Sequence, residues 1–204
     1  MTTPIVLIAY PQAFACLAKF RRKVEKVLVN MENFHVVYQH DSRGFISETL
    51  SADPRTLSLE CRDSLEGITH AIVFDDGEEF HELVSQLEQG GVKIRKIKIK
   101  ITRVINIKRE TQYANVKKTP SYEYIGRGSD WGNPYSMYDA GDEGMDSRDE
   151  VIRKYKYDFT RDLLKTKRAE AIRLSGKRLG CFCKPDACHG DVLAEYLNAF
   201  DDGE

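Results

Sequence analysis

The sequence predicts an α/β protein: a Rossmann-like parallel sheet in the N-terminal half, followed by a second small α/β domain. Three observations carry this. Apolar runs of strand length recur at residues 4–9, 34–38, 70–74 and 92–97. Amphipathic stretches of helical period lie between most of them. A run dense in Lys and Arg over residues 93–118 then separates this repeat from a stretch of different character, rich in Gly, Cys and His motifs. The boundary falls near residue 100, with one domain over 1–100 and another over 101–204.

The first strand turns at Tyr10-Pro11-Gln12 into a helix whose apolar positions are Phe14, Leu17, Ala18, Val24, Val27 and Leu28, set among basic residues. The second strand meets a polar loop, His40 to Gly44, and residues 45–67 read as partly helical with a break at Asp53-Pro54. The third strand ends on Asp75-Asp76-Gly77, and a helix over 78–89 presents Phe80, Leu83, Val84 and Leu87 before Gly90-Gly91 stops it. The fourth strand closes the set. Strands alternating with helices at this spacing imply right-handed parallel βαβ units. No G-x-G-x-x-G follows the first strand, so the standard dinucleotide fingerprint is absent. The layout of an acidic-glycine turn, a helix, Gly-Gly and another strand resembles the nucleotide-binding Rossmannoid group related to the DNA-processing and lysine-decarboxylase-like proteins. Asp75 and Asp76 read equally well as a solvated turn.

Bulk properties exclude several classes. With 41% hydrophobic and 31% charged residues the chain can bury a core in water, and a net charge of −1 argues against wholesale coating of nucleic acid. No apolar run approaches membrane-spanning length and no signal peptide is visible, so the expectation is a protein without a membrane partner. Five unevenly placed cysteines suit a reducing cytoplasm better than a disulfide framework. The basic run over 93–118 has two readings. It could face nucleic acid, or it could be a lysine-protected edge strand plus a solvated linker, and the second is favoured because charge runs are usually solvated faces.

The second half opens with a strand over 101–107 and then carries Ile125-Gly126-Arg127-Gly128 and Trp131-Gly132-Asn133-Pro134. Gly126, Gly128 and Gly132 permit close approaches or turns that a side chain forbids. Arg127 between two glycines could join backbone N–H groups in holding a phosphate or carboxylate. Trp131 could stack on a base, and Asn133 completes this candidate binding loop. The competing reading is a loop whose glycines only turn the chain and whose tryptophan caps the core. Residues 135–146 suggest a loop able to act as a lid. Ser147 to Glu150 reads as a capping box, and Val151, Tyr155, Phe159 and Leu163 give the next helix a core-facing stripe.

Near the C-terminus Arg178 to Cys183 reads as a short buried strand, which would point Cys181 and Cys183 to one side. Cys188, His189 and Asp191 then fall at the start of an amphipathic helix, where the helix dipole favours a thiolate or a bound anion. These motifs, together with Ser147-Arg148-Asp149-Glu150 and Cys181-x-Cys183-Lys184-Pro185-x-x-Cys188-His189-Gly190-Asp191, closely resemble domain-of-unknown-function family 4326 (DUF4326) over residues 101–198. The resemblance implies a protein of bacteria or their viruses and supplies no established reaction.

Three readings of the Cys/His cluster stand side by side. Cys181, Cys183, Cys188 and His189 form a set suited to zinc, although the spacing is not that of common zinc motifs. Without metal, Cys188 could be a low-pKa thiol, His189 and Asp191 proton-transfer groups and Arg127 an anion clamp. Alternatively the cysteines are core residues and His189 and Asp191 cap a helix; Cys16 and Cys61 are read as core in any case. The functional expectation is an intracellular protein handling a nucleotide or nucleoside, acting as an enzyme on a nucleotide, nucleoside or nucleotide-sugar at a glycosidic or phosphate bond. The alternative is a non-catalytic phage or bacterial accessory protein with a zinc-stabilised cluster that binds nucleic acid or a host protein.

Overall fold

The computed structural model describes residues 3–137 and 147–203. It divides into two compact units, Met1–Ile99 with Ala199–Glu204, and Lys100–Asn198. Both units are α/β, as expected.

In the first unit five parallel strands, β1 (Ile5–Ala9), β2 (Phe34–Tyr38), β3 (Thr56–Cys61), β4 (His70–Asp75) and β5 (Lys93–Lys98), lie in the order β3-β2-β1-β4-β5. Val6, Leu7, Ile8 and Ala9 of β1 are all buried, which is what a central strand covered on both faces requires. Leu7, Ala71 and Val73 pack against Leu83 and Leu87 of α3 (His81–Gln89). Aromatic rings contributed in part by α1 (Leu17–Leu28) and α2 (Phe45–Leu50) fill another part of the core: Phe20 stacks on Phe74 at 5.0 Å, and Tyr10 on Phe45 at 5.4 Å.

Two expectations need correction here. Only Phe45–Leu50 is helical in the segment read as partly helical; residues Thr56–Cys61 form β3, an edge strand whose mostly exposed residues lack the apolar signature of a buried one. Cys61 is therefore exposed, while Cys16 is buried. The lysine-rich β5 is the other edge of the sheet, consistent with a cationic edge that resists pairing with a further strand.

The second unit is built on three parallel strands, β6 (Arg103–Asn106), β7 (Tyr122–Tyr124) and β8 (Arg178–Cys181), in the order β6-β8-β7. Two helices, α4 (Arg148–Thr160) and α5 (His189–Asn198), share a core with β8: Tyr155, Phe159, Leu179, Leu193 and Leu197 are packed together. Ser147 caps α4 through its hydroxyl, which accepts the Glu150 N–H at 3.2 Å, and the Glu150 carboxylate takes Arg153. The stripe holds for Val151, Tyr155 and Phe159 but not for Leu163, which lies beyond the helix end and is exposed. Most of the loop read as a lid, residues 138–146, lies outside the described residues. No helix among the described residues is long and apolar enough to cross a membrane.

Candidate functional site

Strand β8 ends at Cys181, and the chain beyond it is pinned rather than free. Asn106, at the end of the neighbouring β6, donates its side-chain N–H to the carbonyls of Phe182 and Lys184. The chain then enters α5 at His189. The Cys188 amide donates to Asp191 Oδ2 at 2.9 Å and the Asp191 amide donates back to the Cys188 carbonyl at 2.9 Å. Asp191 thus secures the helix entry from its first turn, where a carboxylate also suits the dipole. Its other oxygen accepts from Lys184 Nζ at 2.6 Å.

This entry brings the ligand atoms of Cys181, Cys188 and His189 within 4.8 Å of one another, all three residues buried. The Sγ atoms of Cys181 and Cys183 are 3.6 Å apart. Cys183 follows the strand instead of ending it, and its sulfur lies outside the mutually close set of three. The four-ligand expectation is therefore reduced to three, with Cys183 adjacent.

The two helix-entry residues divide the chemistry differently from expectation. A hydrogen bond from the Cys188 thiol, outweighing burial, pulls the Cys181 thiol down to about 5. Cys188 is pushed up, first because it is the donor to Cys181 and then by burial and the nearby Asp191 charge. The low-pKa sulfur is thus Cys181, because two adjacent buried thiols share one proton better than each can lose its own. His189 is held neutral: burial lowers its pKa more than its neighbours raise it. One of its ring nitrogens, Nε2, sits 2.8 Å from the Ile125 carbonyl, and a carbonyl only accepts, so Nε2 carries the proton and Nδ1 keeps the lone pair.

Ile125 also begins the glycine–arginine loop, so that carbonyl links the two motifs. A side chain at Gly126 would stand 2.3 Å from the Tyr124 hydroxyl; the glycine is required by the ring that lies over it. Gly128 has φ +86, in the left-handed region that glycine tolerates. Between them Arg127 is exposed, and its guanidinium has no partner among the described residues.

Arg127, Asn133, Cys181, Cys188 and His189 line one cavity of about 180 Å³, with Phe182 and Arg148 also on its wall. The two motifs, some fifty positions apart, do converge. Not all predicted residues take part. Gly128 and Gly132 line a separate groove that Arg127 and Asn133 also border. The Asn133 amide is committed, donating to the Val151 carbonyl at 3.1 Å and accepting the Tyr135 N–H at 3.0 Å. Asp191 is absent from the cavity wall. Trp131 is a core residue, 3% exposed, with its indole N–H on Glu123 at 3.2 Å and the Arg173 guanidinium 4.9 Å from its ring centroid. It cannot stack on a base from that position.

Arg148 and Phe182 are among the wall residues to which the sequence alone assigned no part in the site. Arg148 donates to the Ala187 carbonyl at 3.2 Å and pairs with Asp186 at 3.1 Å, holding the loop before α5. Phe182, flanked by two motif cysteines, is 51% exposed on the cavity wall. Its aromatic type at the end of a strand was the signal available.

The first unit carries its own cavity, about 680 Å³, at the carboxyl ends of β1 and β2 and beside the β4–α3 connection. The strand order reverses between β1 and β4, so this is the topological switch point at which open α/β sheets place ligands. Its polar lining includes Gln12, Gln39, His40, Ser42 and the acids Asp41 and Glu79, with no Lys or Arg among the lining residues.

Comparison with known proteins agrees with this division. Residues 3–105 match the minimal SLOG domain, and residues 92–199 match DUF4326. An uncharacterized 12.4 kDa protein from the nrdA-td intergenic region of Enterobacteria phage T4 is 37% identical over 100 residues, covering 48% of this chain and 87% of that protein. No solved structure matches. On the extent of these matches the chain belongs to the DUF4326 family, joined in sequence to a minimal SLOG domain.

Proposed function

We propose that the second unit is a catalytic centre for a nucleotide or nucleoside phosphate, acting at its glycosidic or phosphate bond. The observation that carries this is the meeting, on one cavity wall, of an exposed guanidinium without a partner among the described residues and a buried Cys/His cluster. Arg127 supplies a fixed positive charge for an anionic group. The SLOG match over residues 3–105 supports a nucleotide-related role for the chain, and Arg127 is the cation that would take the phosphate in the second unit.

Cys181, Cys188 and His189 would hold a zinc ion. The donor set fits: two thiols and a neutral imidazole, buried and mutually close, with the second ring nitrogen anchored on a backbone carbonyl as metal-bound histidines are. When bound, zinc at a three-ligand site supplies Lewis acidity at the position left open. The residues themselves exclude bulk water, hold the imidazole in one tautomer and place Arg127 across the same wall. Asp191 acts by positioning the helix entry.

The test is a thermal-shift panel of nucleotides, nucleosides and sugar phosphates, with metal analysis of the purified chain. The reading expects one zinc per chain, lost in Cys181→Ala and His189→Ala, and a nucleotide shift abolished by Arg127→Ala. A flat panel with wild-type protein that contains zinc refutes the catalytic reading and leaves a structural metal.

A second reading, nucleic-acid binding, is favoured by one observation. Lys23 and Lys26 of α1 and Arg95 and Lys98 of β5 surround a groove of about 390 Å³, and none of the four has an acidic partner among the described residues. No aromatic residue lines this groove, so contact would be to phosphates without base stacking. Four neutralised phosphates give a slope of about −3 in log affinity against log salt for a single strand. Lys23→Glu with Lys26→Glu should roughly halve it; no measurable oligonucleotide binding at low salt excludes this reading.

A further inference from the structure

We infer that Phe182 is the platform on which the base of the ligand stacks. This rests on the reading of the second unit's cavity as a nucleotide site, and it assigns a role that Trp131, buried in the core, cannot take.

Three observations meet at this residue. The first is volume: about 180 Å³ takes a phosphate and part of a sugar, well short of the roughly 300–1,000 Å³ that encloses a whole small ligand. A nucleotide held there by its phosphate must leave its base at the mouth. The second is exposure. Of the six large apolar side chains exposed on the described residues, Val29, Leu57, Tyr157, Leu163, Phe182 and Phe200, only Phe182 lines this cavity. The third is bracing. Tyr124 meets the Phe182 ring edge to face, with centroids 6.2 Å apart and planes at 78°, and its own hydroxyl is fixed to the Arg127 carbonyl at 3.3 Å. The carbonyl of Phe182 is held by Asn106.

The ring is therefore braced by Tyr124 and through its own backbone while half its surface stays open. Lys108 brings its ammonium 5.8 Å from the ring centroid, on an exposed side chain able to move aside for a flat ligand or to meet its phosphate. A face supported in this way suits any purine or pyrimidine, because every base has a π-face, and it discriminates bases from sugars. The same tyrosine orders both the aromatic platform and the arginine loop, so base and phosphate are located by one side chain.

The experiment is calorimetric titration of the full chain, as purified, with AMP, ribose 5-phosphate and inorganic phosphate. In wild type AMP should bind more tightly than ribose 5-phosphate. Phe182→Ala should weaken AMP by about 5- to 150-fold, the range for loss of one base–aromatic stack. Ribose 5-phosphate, which has no base to stack, should stay within about twofold of its wild-type affinity. Phe182→Trp should restore AMP binding, and Phe182→Leu, apolar but without a π-face, should not. Equal wild-type affinity for AMP and ribose 5-phosphate, or parallel loss of both in Phe182→Ala, overturns the stacking role while leaving the phosphate site standing. If wild type binds none of the three, the nucleotide reading of the cavity falls, and this inference with it.

Discussion

Glu123 is where the second unit's architecture can be tested most sharply. It sits on β7, 7% exposed, with Oε2 2.7 Å from Lys177 Nζ and Oε1 accepting the Trp131 indole N–H at 3.2 Å. Lys177 is itself buried. Glu123→Gln keeps the shape but removes the charge, so a buried ammonium loses its counter-ion. Breaking one side of a buried pair costs about 3–5 kcal/mol, against about 0–1 kcal/mol for a solvated surface pair. Urea denaturation of wild type and variant should therefore differ by at least about 3 kcal/mol. Burial raises the Glu123 pKa, but the bonds from Lys177 and Trp131 bring it below the ordinary value of 4.5. With the folded pKa depressed, this stabilisation is present above the unfolded value and is lost as pH falls through the folded one. Wild type should lose stability more steeply than Glu123→Gln below pH 4.5. A loss under about 1 kcal/mol with the same acid slope would mean that water already solvates the pair.

Other substitutions address the same site from different sides. Gly190→Ala puts a Cβ 2.6 Å from Ile125 Cδ1 and 3.1 Å from the Val104 methyls, so overpacking should cost about 1–3 kcal/mol in urea and lower zinc content. Asn198→Ala strips partners from the Thr102 N–H (2.8 Å) and carbonyl (3.0 Å), both buried; the expected loss is about 2–6 kcal/mol by denaturant titration, since each orphaned group costs about 1–3 kcal/mol. Arg127→Ala, at an exposed residue without a described partner, should leave the unliganded melting point within about 1 °C while removing any nucleotide-induced shift. A fall in the unliganded melting point would assign Arg127 to architecture.

How much could be read beforehand depended on whether a signal was local. Strands β1, β2 and β4 were legible because burial on both faces forces continuous apolar runs. Strand β3 was not: at the sheet edge only Thr56 and Leu59 are even half-buried, so its residues carry no core pattern. The three-residue β7 was hidden for another reason. Its Tyr122 and Glu123 are buried, but a charged residue inside a strand reads as surface until its partner Lys177 is known. The glycine–arginine and cysteine–histidine motifs stand out by composition alone, yet two adjacent residues such as Cys188 and His189 diverge if both are helical, which works against a shared centre. The helix entry resolves that: with Cys188 just outside α5 and His189 its first residue, the two side chains need not diverge.

The sequence by itself determined an alternating α/β chain in two parts, the motifs that would matter and the lysine-rich edge, because apolar period, glycine placement and charge are properties of neighbours in the chain. Only the tertiary structure decided that Trp131 belongs to the core and Phe182 to the cavity, that Cys181 is the more acidic thiol, and that Cys183 stands beside the cluster. Those outcomes turn on which groups meet across β6, β7, β8 and α5. Burial and hydrogen bonding between residues distant in sequence set exposure and pKa, and no local pattern encodes them.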